Sequence, residues 1–197
     1  MNILYKCGMF IGETCGPTTH NRKGQFENLN IVNMVEKPYL RGIQMDPKAQ
    51  KPLPTYKDLI PDPSRRRDVL EIMKKQGLQE DKIWGFKCCK GVTDWPVWNG
   101  AFPNAQWIIV RRNSEAILDS VKRTSFMSRR NTRESWQEWV DYHLNRFEDM
   151  KKALTCYEVW SDKFLEGDYS DLWFLPEIGL KWTSAAEKVV DLSLTRP

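Results

Sequence analysis

Apolar residues along the chain switch between two periods. Ile31, Val32 and Val35 recur at helical spacing, as do Val69, Leu70 and Met73, and Trp136, Val140, Leu144 and Phe147. These stripes predict helices over 28–43, 64–76 and 132–154, with Pro38 kinking or ending the first, Ser64 opening the second, Gly77 closing it, and Thr132 capping the third. Between them stand short β-branched or aromatic runs. Residues 83–88 predict a strand, and Trp107 to Val110 predicts a parallel strand buried on both faces, because the run has no polar alternation. A helix capped by Asn113 or Ser114 follows at once. A third short strand is expected over 155–159, short helical pieces over 164–175, and a small helix over 183–192, capped by Thr183 or Ser184. Ile3, Leu4 and Cys7 share one face of a helix end that Gly8 stops. Residues 45–63 carry Pro47, Pro52, Pro54, Pro61 and Pro63 and predict an extended surface excursion. Strands alternating with helices imply an α/β layer fold with a parallel sheet, and the 197 residues suit a single domain over 1–197.

Charge changes this picture little. The net charge of +4 is too mild for a general nucleic-acid binder but suits a small polyanionic ligand. The basic run from Lys122 to Arg133 reads as a solvated face, or as a docking face for an acidic partner. Five cysteines, an odd number without a CxxC pair, predict free thiols and a reducing, cytoplasmic compartment. His20 and His143 stand apart from any zinc-ligand spacing, so no metal is expected. No apolar run has the length of a membrane span.

The candidate chemistry sits where the strand from Trp107 meets its helix. A parallel strand delivers the helix N-terminus to the carboxyl edge of the sheet, where free N–H groups and the helix dipole favour an anion. Arg112 stands at that junction, and Ser120 lies eight residues on, about two helical turns away.

Trp107 to Ser120 resembles the 3′-phosphate segment of sulfotransferases that use 3′-phosphoadenosine 5′-phosphosulfate (PAPS): a strand ending in arginine, with serine eight residues later. Residues 21–27, with Asn21, Gly24, Phe26 and Glu27, resemble the Asn-Pro-Lys-Gly-x-Phe-Glu stretch of bacterial and viral members. Trp84, Gly85, Phe86 and Lys87 resemble their Trp-Gly-x-Lys strand. Phe102, Pro103, Asn104 and Ala105 match the turn before the 3′-phosphate strand. The resemblance implies a three-layer P-loop NTPase-like fold and sulfuryl transfer from PAPS to a hydroxyl or amine of a small-molecule or glycan acceptor. It implies that Arg112 and Ser120 hold the 3′-phosphate and that Glu27 takes the acceptor proton, a residue that otherwise reads as a cap for the helix near Asn28. Lys87 or Lys90 would neutralise the sulfuryl oxygens, Lys90 would replace a family arginine, Trp84 or Trp95 would stack on adenine, and His20 is a second base candidate. The Arg-Ser-Gly-Thr-Ser loop that cradles the 5′-phosphosulfate has no counterpart, so an N-terminally incomplete, inactive form is one expectation. A P-loop-type kinase and a non-catalytic binding protein are the alternatives.

Overall fold

The structure is a computed structural model that describes residues 1–18, 22 and 24–190. Its helices are α1 (Asn2–Lys6), α2 (Leu29–Ile31), α3 (Lys37–Gly42), α4 (Arg65–Lys75), α5 (Trp95–Ala101), α6 (Ser114–Lys122), α7 (Arg133–Ala153), α8 (Ser161–Leu165) and α9 (Ser184–Glu187). Strands β1 (Trp107–Arg111) and β2 (Cys156–Trp160) pair in parallel, with Ile109 opposite Glu158 and Arg111 opposite Trp160. The crossover through α6 and α7 is the βαβ connection that the alternating pattern predicts.

Side chains alternate across this two-stranded sheet, and each face has its own core. Ile108, Tyr157 and Val159 face Ile3, Leu4, Met9, Ile11, Phe174 and Leu175. Trp107, Ile109 and Cys156 face Val92, Trp95 and Met150. The sheet is therefore flanked on both sides, giving the three layers of an α/β fold. A separate cluster joins α2, α4 and α5 through Ile31, Val69, Met73 and Trp98. Leu118 and Val121 of α6 pack on Trp136 and Val140 of α7.

Several elements differ from the pattern. Val110 is 55% exposed, so β1 is not buried on both faces along its length; among the described residues its strand neighbour is β2. Residues 83–88 form single parallel bridges, Trp84 with Phe10 and Lys87 with Glu27. The two bridge partners come from different segments, so among the described residues no neighbour runs alongside long enough to build a ladder. Helical structure passes Pro38 without ending. A wider π turn, Val32–Glu36, immediately precedes it, and Pro38 then falls in the first turn of α3, where its missing N–H costs nothing. Ser64 spends its hydroxyl on Asp62 and Asp68 rather than on the backbone of α4. The helix predicted over 183–192 is shorter, with Thr183 as its cap, and residues 191–192 lie outside the described residues. Gly8 and Gly77 do close α1 and α4, at φ of +103° and +97°, a conformation glycine adopts without strain.

The proline-rich segment is not a loose surface excursion. Gln50 is fully buried and acts as a clamp. Its amide donates to the Phe126 carbonyl (2.9 Å) and accepts from the Ser128 and Arg129 N–H groups (both 3.0 Å). Pro54 offers its carbonyl to Tyr142 Oη (2.7 Å) and Arg146 Nη2 (2.6 Å), and the Arg146 guanidinium lies 3.6 Å from the Tyr56 ring centroid. The segment is thus bound along α7. One member of the basic run is internal for the same reason, Arg130, which donates to the Gln50 carbonyl, whereas Arg133 forms an exposed pair with Glu115. Among the described residues no helix is long and apolar enough to cross a membrane.

Removing the clamp with Gln50→Ala strands its three backbone partners and is expected to cost about 2–4 kcal/mol, read by denaturant unfolding, with faster amide exchange at residues 128 and 129. His143 generates a second expectation. Its Nδ1–H donates to the Trp139 carbonyl (2.7 Å), and burial, with Arg130 and Arg146 nearby, pushes its pKa down to about 4 from 6.5. The unfolded chain takes up a proton below pH 6.5 while the folded one does not until about 4, so stability falls as pH drops through that window. His143→Phe should flatten this acid limb in thermal melts at pH 4 to 7.

Candidate active site

Two groups of side chains occupy this region. The first lies at the carboxyl end of β1. Strand alternation separates the two consecutive arginines. Arg111 turns inward, pairs with Glu148 and Glu158, and lies 5.0 Å from the Phe147 ring centroid. Arg112 is exposed and forms no ion pair among the described residues. The strand ends are fastened together: Ser161 Oγ donates to the Arg111 carbonyl (2.9 Å), and the Asn113 N–H donates to Asp162 (2.8 Å). Asn113 caps α6 by accepting from the Glu115 and Ala116 N–H groups. The helix amides expected to await an anion are therefore already engaged, and the cation on offer is the Arg112 side chain. Ser120 is half-buried near the end of α6. Its carbonyl accepts from Thr124 Oγ1, and its hydroxyl has no partner among the described residues.

The second group surrounds residues 87–90. The Glu27–Lys87 bridge brings both chains together, and the Glu27 carboxylate accepts the Cys89 N–H (3.3 Å). Burial pushes the Glu27 carboxyl up, but Lys90, Cys89 and Lys87 outweigh it and hold the group below the usual glutamate range. Glu27 is thus an ionised carboxylate at neutral pH. It does not cap the helix that follows; Asn28 does, through the Ile31 N–H. Lys87 Nζ donates to the Gln25 carbonyl (2.8 Å), while Lys90 lies within electrostatic reach of both Glu27 and Glu36.

Both candidate base-stacking tryptophans are packed among protein rings. Trp84 stacks on Phe86 (6.4 Å) and meets Phe102 edge-on (5.8 Å). Trp95 is buried against Tyr56 and donates its indole N–H to that hydroxyl. Trp160, 41% exposed beside Arg111 at the end of β2, is the solvent-facing indole at this edge. His20, Asn21 and Lys23 lie outside the described residues.

A buried ionic cluster adjoins the second group, and no local motif announces it. Arg65 is fully buried between the rings of Tyr39 (4.2 Å) and Trp98 (4.3 Å). Its guanidinium reaches Asp94 (2.6 Å), Asp62 (3.3 Å) and, more loosely, Glu36 (3.9 Å). Glu36 accepts the Trp98 indole N–H (3.0 Å). These residues come from α3, α4, α5 and the turns before them, so sequence spacing carries no sign of the cluster. Among the described residues no group of three or more histidine, cysteine or acidic side chains is arranged to hold a metal.

A small parallel sheet flanked by helices defines an α/β protein, and Arg112 stands exposed at the carboxyl edge of that sheet. Residues 50–185 match the family model of the sulfotransferase domain, and the chain belongs to that family. No curated protein and no solved structure matches. The matched stretch contains Trp84, Lys87, Lys90, Arg112 and Ser120, whereas Glu27 lies before it.

Of the lysines that hold the Glu27 carboxyl down, Lys90 has the larger influence, so its removal should show there. Lys90→Met is expected to raise the Glu27 side-chain pKa, measured by carbon-13 titration of the carboxyl; an unchanged Glu27 titration would show that the lysine does not face it.

Proposed function

We propose that this protein is a PAPS-dependent sulfotransferase domain that moves a sulfuryl group to a hydroxyl or amine of a small-molecule or glycan acceptor. The observation that carries the reading is the Arg112–Ser120 pair within the matched domain: an exposed guanidinium and a hydroxyl, both without internal partners among the described residues. Arg112 supplies bidentate, charge-assisted donors to a 3′-phosphate, and Ser120 adds a neutral donor. Glu27 is the base. The acceptor oxygen forms its bond to sulfur as the bond from sulfur to the 5′-phosphate oxygen breaks, and the acceptor proton passes to the Glu27 carboxylate. Adenosine 3′,5′-bisphosphate is the leaving group. Lys90, not engaged in a direct ion pair, neutralises charge on the sulfuryl oxygens, with Lys87 beside it.

Isothermal titration with adenosine 3′,5′-bisphosphate tests this. The wild type should bind. Arg112→Ala should weaken binding about 10–100-fold, and Ser120→Ala about 3–10-fold, the worth of a charge-assisted and a neutral hydrogen bond. Equal binding by wild type and Arg112→Ala would remove the assignment. Glu27→Gln should leave nucleotide affinity within about twofold and reduce transfer about 10²-fold or more, since the amide cannot accept the proton.

A further inference from the structure

Glu36 and Asp94 are both fully buried carboxyls, and they touch one guanidinium. Asp62 shares that same Arg65 from a more solvated position. Three ionised carboxylates around a single cation would leave uncompensated negative charge in the interior, which is costly. Like charges in contact resolve this by retaining a proton.

The hydrogen-bond inventory locates the missing proton. Asp94 accepts Arg65 Nη1 on Oδ2, and Glu36 accepts the Trp98 indole on Oε2. The remaining oxygens, Glu36 Oε1 and Asp94 Oδ1, are buried with no donor, yet the two carboxyls lie within hydrogen-bonding reach of one another. One hydrogen placed between them satisfies both atoms.

We propose that Glu36 and Asp94 share a single proton in the folded protein, and that this proton makes Glu36 a positioning residue for Lys90: a neutral Glu36 leaves the lysine to Glu27, and an ionised Glu36 draws it away. The inference is independent of the identity of the sulfuryl donor, resting instead on the turn that carries Lys90: the neighbouring Cys89 N–H reaches the Glu27 carboxylate, and Gly91 packs against the Trp98 indole nitrogen whose hydrogen Glu36 accepts.

The groups facing Glu36 act in opposing directions. Burial is the largest influence and Asp94 the next, and together they push Glu36 up to about 8, against Arg65, Lys90 and the Trp98 N–H. Asp94 is raised by burial, opposed by Arg65 and by the hydrogen bond from Glu36. The Cys88 thiol, raised well above its ordinary value chiefly by burial, and the Tyr39 hydroxyl, raised mainly by burial, remain neutral beside them. The unfolded chain releases the Glu36 proton near pH 4.5 and the folded chain near 8, so the folded state holds more protons between these values. Stability contributed by the neutral carboxyl is complete below about 4.5 and declines as pH rises towards 8.

Glu36→Gln keeps the shape and fixes the neutral state, its amide donating to Asp94 and its carbonyl accepting from Trp98. The melting temperature of this variant should match the wild type near pH 5 and exceed it by a margin that grows up to pH 8. A direct carbon-13 titration of the wild-type Glu36 carboxyl should show a midpoint above pH 7, which needs no variant. The Lys90 ε-methylene shift should follow that midpoint in the wild type and lose the inflection in Glu36→Gln. A Glu36 midpoint in the ordinary carboxylate range, or a margin that does not grow with pH, overturns the shared proton. A Lys90 shift blind to the Glu36 titration overturns the positioning role. None of these readouts requires nucleotide binding, so failure of the PAPS assignment would not mimic failure here.

Discussion

Parallel pairing of β1 with β2 is the constraint on which the rest of this molecule depends. Its register sets Arg111 opposite Trp160. The polar contacts beyond the last pair, Ser161 to the Arg111 carbonyl and Asn113 to Asp162, hold both strand ends at one level. Backbone alternation then sends Arg111 into an ion-pair cluster on the α7 side. Arg112 follows immediately and remains in solvent. Two identical side chains, adjacent in sequence, end up one buried and paired and the other exposed because a strand has a period of two.

The same pairing explains how the site is supplied from distant parts of the chain. The cores on the two faces of the sheet draw in α1 and residues 172–186 on one side and α5 and α7 on the other. Packing of α5 and α4 against α2 brings the loop at 87–90 towards Glu27 and Glu36. An ionised Glu27 and a buried, proton-retaining Glu36, nine residues apart in sequence, are both within electrostatic reach of Lys90. Each has two cations nearby, and their environments differ in burial and in the other neighbours: Glu27 accepts a backbone N–H beside Lys90 and Lys87, while the more deeply buried Glu36 competes with Asp94 for Arg65. Pairs of carboxyls driven apart in this way are the usual means by which one site holds both a base and an acid.

Much of this architecture could be read from pattern. The long amphipathic stripe of α7, the β-branched run of β1, the Asn113 and Thr132 caps and the closing glycines all express local preferences, and the structure keeps them. The sulfotransferase likeness of the segment from Trp107 to Ser120 was legible in the sequence, and the family match covers it. Two expectations failed because they required knowledge of neighbours. Residues 83–88 have the composition of a strand but lack a partner of matching length. The proline-rich segment looked solvent-exposed, yet Gln50 found three backbone groups at residues 126, 128 and 129.

The sequence by itself determined element types, most caps and the parallel α/β class, because each depends on residues within about one or two turns of one another. Tertiary structure alone decided which arginine is free, which tryptophans are spent on packing, and where a proton is stored. Those outcomes depend on burial and on charges brought together from distant segments, and neither has a signature in local spacing.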